Sequence, residues 1–78
     1  MDKKIQEILS NIFEIDPSKI TESFSRDQSD KWDSLNHIKL IISLEEEFNI
    51  AIEEDEMTSI KSYKDIWSIL QKKGIVLK

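Results

Sequence analysis

Three stretches of this 78-residue chain repeat their apolar residues every three or four positions, the period of an α-helix and not of a strand. Ile5, Ile8, Leu9, Ile12 and Phe13 share a face in the first. Leu40, Ile41, Leu44 and Phe48 do so in the second, which is expected to run from Leu35 to Phe48, and Tyr63, Ile66, Trp67 and Leu70 in the third. The punctuation agrees with the period. Asp2 stands where an N-cap accepts from a first-turn N–H, and Asp16-Pro17 marks the exit, since the residue before proline is pushed out of helical geometry. Asp33 and Asn49 bracket the second stretch. Ser62 and Asp65 have capping-box spacing, with Asp in place of the usual Glu, and Gly74 closes the third.

Between these stretches, the segment 17–33 is rich in Ser, Asp and Thr, and is expected to be a long ordered loop pinned by Ile20 and Phe24. Glu54 to Ile60 is expected to form a short helical turn that sends Met57 and Ile60 inward. The predicted fold is all-α: a small antiparallel four-helix bundle of three long helices and one short one, with residues 1–78 forming one domain.

Composition excludes several classes of function. The chain has no Cys, one Gly and one His, which removes disulfides, thiolate zinc sites and a thiol nucleophile, and leaves metal and nucleotide sites without support. The run Glu53-Glu54-Asp55-Glu56 lacks the alternating ligands and central Gly of a calcium loop and reads as a solvated acidic face. With 16 acidic and 11 basic residues the net charge is −5, which repels phosphate backbones and favours basic protein surfaces. Nucleic acid is therefore not an expected partner. The N-terminus breaks its apolar residues with charge, and no apolar run approaches membrane-spanning length, so no signal peptide or membrane insertion is expected. A cytoplasmic monomer is the expectation. A chain of this size builds a modest core but not a deep substrate cavity as well, which argues against catalysis within it.

What remains is a presentation site. Ser34 sits in Trp32-Asp33-Ser34-Leu35, where a polar loop gives way to the second helix, and a helix N-terminus offers unsatisfied N–H groups and a positive dipole end that favour an anion such as a phosphodiester. Asp33 is the expected N-cap. At about 100° per residue, Leu35, Ile38 and Ile42 fall nearly opposite the Leu40, Ile41, Leu44, Phe48 stripe. Either that second stripe faces solvent as a docking patch bordered by Lys39, Glu45 and Glu46, or the helix is sandwiched inside the bundle.

The sequence Asp33-Ser34-Leu35, eight residues, and then Leu44-Glu45-Glu46-Glu47-Phe48 resembles the acyl carrier protein family, in which an Asp-Ser-Leu motif opens the second helix ahead of Leu-Glu-Glu-x-Phe. The match extends over nearly the whole chain. The resemblance implies that Ser34 bears a 4′-phosphopantetheine arm taken from coenzyme A by a phosphopantetheinyl transferase, which Asp33 also contacts. The arm's thiol would then hold acyl groups as thioesters. It implies further that Leu35, Ile38 and Ile42 dock on partner enzymes of fatty-acid, polyketide or other acyl-transfer pathways, and that Glu45 and Glu46 meet basic patches on those enzymes. The chain departs from the family pattern at Lys31, where Gly is usual, at Lys39 on the recognition helix, and at Trp32 beside the serine. These departures favour a specialised stand-alone carrier over the general carrier of fatty-acid synthesis, and the absence of Gly-Gly-x-Ser speaks against a peptidyl carrier.

Two competing readings use the same residues. Ser34 and His37, one helical turn apart, suggest a miniature hydrolase dyad, but an oxyanion hole and a walled pocket have no residues to build them. A noncatalytic helical adaptor would use the Leu35, Ile38, Ile42 patch with Ser34 unmodified. Trp32 is open between a plug that seals the loop and a direct partner contact.

Overall fold

The computed structural model describes residues 2–77. It contains four α-helices, α1 (Lys3–Phe13), α2 (Ser34–Phe48), α3 (Glu54–Ser59) and α4 (Tyr63–Lys72), with 3₁₀ turns at Pro17–Lys19 and Arg26–Gln28. The described residues contain no strand; one isolated antiparallel bridge pairs Ser25 with Ser62. The all-α bundle of three longer helices and a short one is thus the observed architecture. The second helix begins one residue earlier than its apolar pattern suggests, because a cap at Asp33 makes Ser34 the first helical residue.

Local chemistry sets each boundary. Asp2 Oδ1 accepts from the Ile5 N–H at 3.0 Å and opens α1. Ser62 Oγ accepts from the Asp65 N–H at 3.2 Å, but Asp65 does not complete a reciprocal box: its Oδ2 takes the Lys61 N–H at 2.9 Å. At the other ends, Glu14 and Asn49 adopt φ 53° and Gly74 φ 85°. The residue after each returns its N–H to an orphan carbonyl, Ile15 to Ser10 at 3.2 Å, Ile50 to Glu45 at 3.2 Å and Ile75 to Leu70 at 3.0 Å.

Ile5, Leu9 and Phe13 from α1, Leu40, Ile41 and Leu44 from α2, and Tyr63, Ile66 and Leu70 from α4 close the core, joined by Ile60 after α3. Met57 packs against this cluster half-buried. Trp67 departs from the expected inward stripe. It lies roughly 70° from the centre of the Tyr63, Ile66, Leu70 face and the residue remains 36% exposed, too large for the margin of the helix to cover.

The long loop is ordered as expected, with Ile20 and Phe24 buried. It is tied to the start of α4 by the Arg26 N–H to Lys61 O at 2.8 Å and the Tyr63 N–H to Phe24 O at 2.9 Å. Trp32 joins this anchor. Its ring is buried, stacked on Phe13 at 4.8 Å and on Phe24 at 5.9 Å between centroids, so it is the plug of the loop.

Candidate functional site

The three residues before Ser34 are each fastened to the first turns of α2. Asp33 Oδ1 accepts from the Asn36 N–H at 2.8 Å, and the Asp33 carbonyl accepts from the His37 N–H at 2.8 Å. The Asn36 side-chain amide donates to Lys31 O at 2.7 Å. The Trp32 indole N–H donates to His37 Nδ1 at 3.0 Å. Lys31 is paired through its ammonium with Glu14 beyond the end of α1, and that partner holds the Glu14 carboxyl below the usual carboxylate range.

Ser34 stands in the middle of these ties and takes part in none of them. The residue is exposed, and its hydroxyl has no hydrogen-bond partner among the described residues. The Ser34 and Leu35 amide N–H groups, at the first two helical positions, have no carbonyl one turn earlier within the helix. A free alcohol therefore stands beside two outward donors at the positive end of a 15-residue helix. Asp33 is exposed next to it, one carboxylate oxygen in the cap and the other free.

Further along α2 the two apolar stripes separate. Leu40, Ile41 and Leu44 are buried, whereas Leu35 is 62%, Ile38 50% and Ile42 49% exposed. The helix is not sandwiched; its second stripe faces solvent. Lys39, Glu46 and Glu47 are exposed, while Glu45 is half-buried and its Oε2 accepts from the Ile52 N–H at 2.9 Å. Glu45 thus fastens the connection from α2 to α3 as well as standing near the patch. In the acidic run, Glu53, Glu54 and Asp55 are exposed as anticipated, but Glu56 turns inward, accepts from the Glu53 N–H at 2.9 Å and pairs with Lys73 at 2.8 Å. The Lys73 ammonium, with the Glu53 N–H second, lowers the Glu56 carboxyl below its ordinary range. No group of three or more His, Asp or Glu among the described residues is placed to hold a metal ion.

His37 corrects the dyad reading. Its Nδ1 is occupied by Trp32 and its Nε2 lies 2.8 Å from the Met57 carbonyl oxygen, so neither nitrogen serves the Ser34 hydroxyl. Sequence reasoning missed this role, and that of Asn36. The Asn36 contact had a local signal, a side-chain amide three residues after the cap. The His37 contact to α3 crosses 20 positions and had none.

The fold and site define a class: a small helical domain that seals its own core while displaying one unpaired serine and one apolar helix stripe. Known proteins give this class its family. The chain is 31% identical over 71 residues to an acyl carrier protein of Bdellovibrio bacteriovorus, with 91% of each chain covered. It is 30% identical over 71 residues to an acyl carrier protein of Thermosynechococcus vestitus, covering 91% of this chain and 88% of that one. An acyl carrier protein of Cylindrotheca sp. is 34% identical over 71 residues, with 91% and 89% covered. No family model matches the chain. On the strength of these relatives the chain belongs to the acyl carrier protein family, and it is accordingly a carrier and not an enzyme. No helix among the described residues is long and apolar enough to cross a membrane.

Proposed function

We propose that Ser34 is the attachment point of a 4′-phosphopantetheine arm and that the chain shuttles acyl groups between partner enzymes. The observation that carries this reading is the Ser34 hydroxyl, exposed and unpaired at the N-terminus of α2 while the three residues before it are tied down. The residues present fit a phosphodiester. The oxygen is accessible, the adjacent first-turn amides and helix dipole favour the anion, and the 31–33 segment is held so that it does not cover the serine. When bound, the arm supplies the thiol on which acyl groups are held as thioesters.

In loading, Ser34 Oγ forms its bond to the pantetheine-side phosphorus of coenzyme A as the anhydride bond to the nucleotide half breaks, and the hydroxyl proton passes to a base of the transferase. Asp33 has a second role available, since the residue is exposed and only one of its carboxylate oxygens caps α2. Leu35, Ile38 and Ile42 form the contact stripe for the transferase and for synthase or acyltransferase partners, and Glu46 leads the acidic border that meets their basic patches. Glu45 contributes to that border with part of its carboxylate already engaged. The departure at Lys39, exposed on the recognition helix, fits a specialised acyl-transfer pathway in the cytoplasm, whereas Trp32 is used as a buried plug and Lys31 is paired with Glu14.

Intact mass after incubation with coenzyme A and a broad-specificity phosphopantetheinyl transferase tests the reading. The wild-type chain is expected to gain one phosphopantetheine, and Ser34→Ala none. A wild-type chain that stays at its starting mass would make it an adaptor that uses the exposed stripe with Ser34 unmodified.

A further inference from the structure

His37 lies one turn beyond Ser34 and uses both ring nitrogens. An indole nitrogen only donates, so Nδ1, 3.0 Å from Trp32 Nε1, is an acceptor and the imidazole is in its Nε2–H form. Nε2 then donates to the Met57 carbonyl oxygen at 2.8 Å. The two rings also lie near parallel, with centroids 6.2 Å apart and planes 27° from each other. A single side chain therefore links the loop that delivers Asp33 and Ser34, the base of α2, and the body of α3.

The linked parts depend on that connection. Trp32 is 3% exposed, and among the described residues its side-chain N–H has no acceptor but His37, so removing the imidazole nitrogen leaves a buried donor unpaired. At six residues α3 is too short to persist as a helix unaided, and none of its residues is fully buried. We infer that His37 is a positioning residue: it clamps α3 and the Trp32 loop to α2 and so fixes the first turn of α2 in the geometry that presents Ser34. The effect on Ser34 rests on the function proposed above, whereas the clamp does not.

Two variants separate the hydrogen bonds from the bulk of the ring. His37→Phe keeps an aromatic plane with no polar atom, while His37→Gln offers an amide oxygen to Trp32 and an amide nitrogen to Met57. Three quantities are compared well inside the native baseline: the Trp32 indole proton resonance, assigned against Trp67→Phe, amide exchange in α3, and loading kinetics at Ser34. His37→Phe is expected to move the indole resonance upfield and speed α3 exchange about tenfold with α1 unchanged. It should also raise the KM for loading about fivefold at constant kcat. His37→Gln is expected to return all three to within about twofold of wild type.

An unmoved indole resonance and unchanged α3 protection in His37→Phe, or no rescue by His37→Gln, would show that the ring only fills space and overturn the inference. A shifted indole and faster exchange with an unchanged KM would overturn the link to Ser34. If the wild-type chain is never loaded, the function proposed for Ser34 fails, and the indole and exchange measurements alone decide the clamp.

Discussion

Trp32 is buried two positions from a serine that the chain leaves exposed, and the contrast is set by what each side chain has to satisfy. The indole meets Phe13 and Phe24 on its faces and His37 at its nitrogen, so every part of it has a partner. Trp32→Phe keeps most of the stack but leaves His37 Nδ1 without a donor, and is expected to cost about 1–2 kcal/mol. Trp32→Ala opens a cavity among the same rings and is expected to cost about 3–5 kcal/mol, a large share of what so small a domain has. Urea midpoints at constant slope check both. The exposure of Ser34 was legible because it follows from cap chemistry three residues long. Whether Trp32 pointed inward was not, since its partners Phe13 and Phe24 lie in other segments and sequence spacing does not encode them.

The four helices differ in how far their sequences specify them. In α1 and α2 the apolar period and an Asp cap coincide and both helices formed, but α1 ends at Phe13, ahead of the Asp16-Pro17 exit, because Glu14 takes the left-handed cap geometry, and α2 starts one residue early at Ser34. The two-sided pattern of α2 was read correctly in angle, but only the packed structure decided between solvent and sandwich. In α4 the period was right and its rim was not: Trp67 counts as apolar in a pattern, but its volume exceeds the cover available at that edge. The exit of α2 supplies an element-scale prediction. Asn49 holds φ 53°, a left-handed geometry that Asn tolerates and Ala does not, so Asn49→Ala is expected to lower stability by about 1 kcal/mol while Asn49→Gly does not, as read from thermal or urea midpoints.

Short α3 depends on ties from outside, the Glu56–Lys73 pair among them, and this makes it sensitive to acid. Lys73 depresses the Glu56 carboxyl below its ordinary 4.5, so its stabilisation is present above that value and is lost as pH falls through the lower folded value. Glu14, lowered by Lys31, and Asp16, lowered by the Ser18 N–H, act in the same direction. Glu56→Gln is expected to flatten part of the acid limb of stability against pH. Tyr63 behaves oppositely: burial raises its hydroxyl above 10.0, so its contribution holds below that pH and is lost above it. In Tyr63→Phe that part of the alkaline loss should disappear.

At the scale of the whole molecule, the net charge of −5 alone does not distinguish solubility from steering, and the placement of the acids supplies the test. The exposed carboxylates of Glu46 and Glu47 belong to the helix that carries Ser34 and the apolar stripe, and they make no hydrogen bond or ion pair among the described residues. Charges that are free in the isolated chain remain available to guide an encounter, whereas Glu45 and Glu56 are held by Ile52 and Lys73. Reversal at Glu46 and Glu47 together to Lys should therefore slow loading of Ser34 several-fold at low salt with an unchanged unfolding midpoint, and the difference should shrink as ionic strength rises and the Debye length falls to about 8 Å or less. Glu45→Lys should behave differently. It removes the acceptor for the Ile52 N–H and is expected to lower stability by about 1 kcal/mol, read as a lower unfolding midpoint whatever the salt. Equal loading rates for the wild type and the double reversal at low salt would leave the surface acids with solubility as their whole role, because a steering charge has its effect in the association rate or not at all.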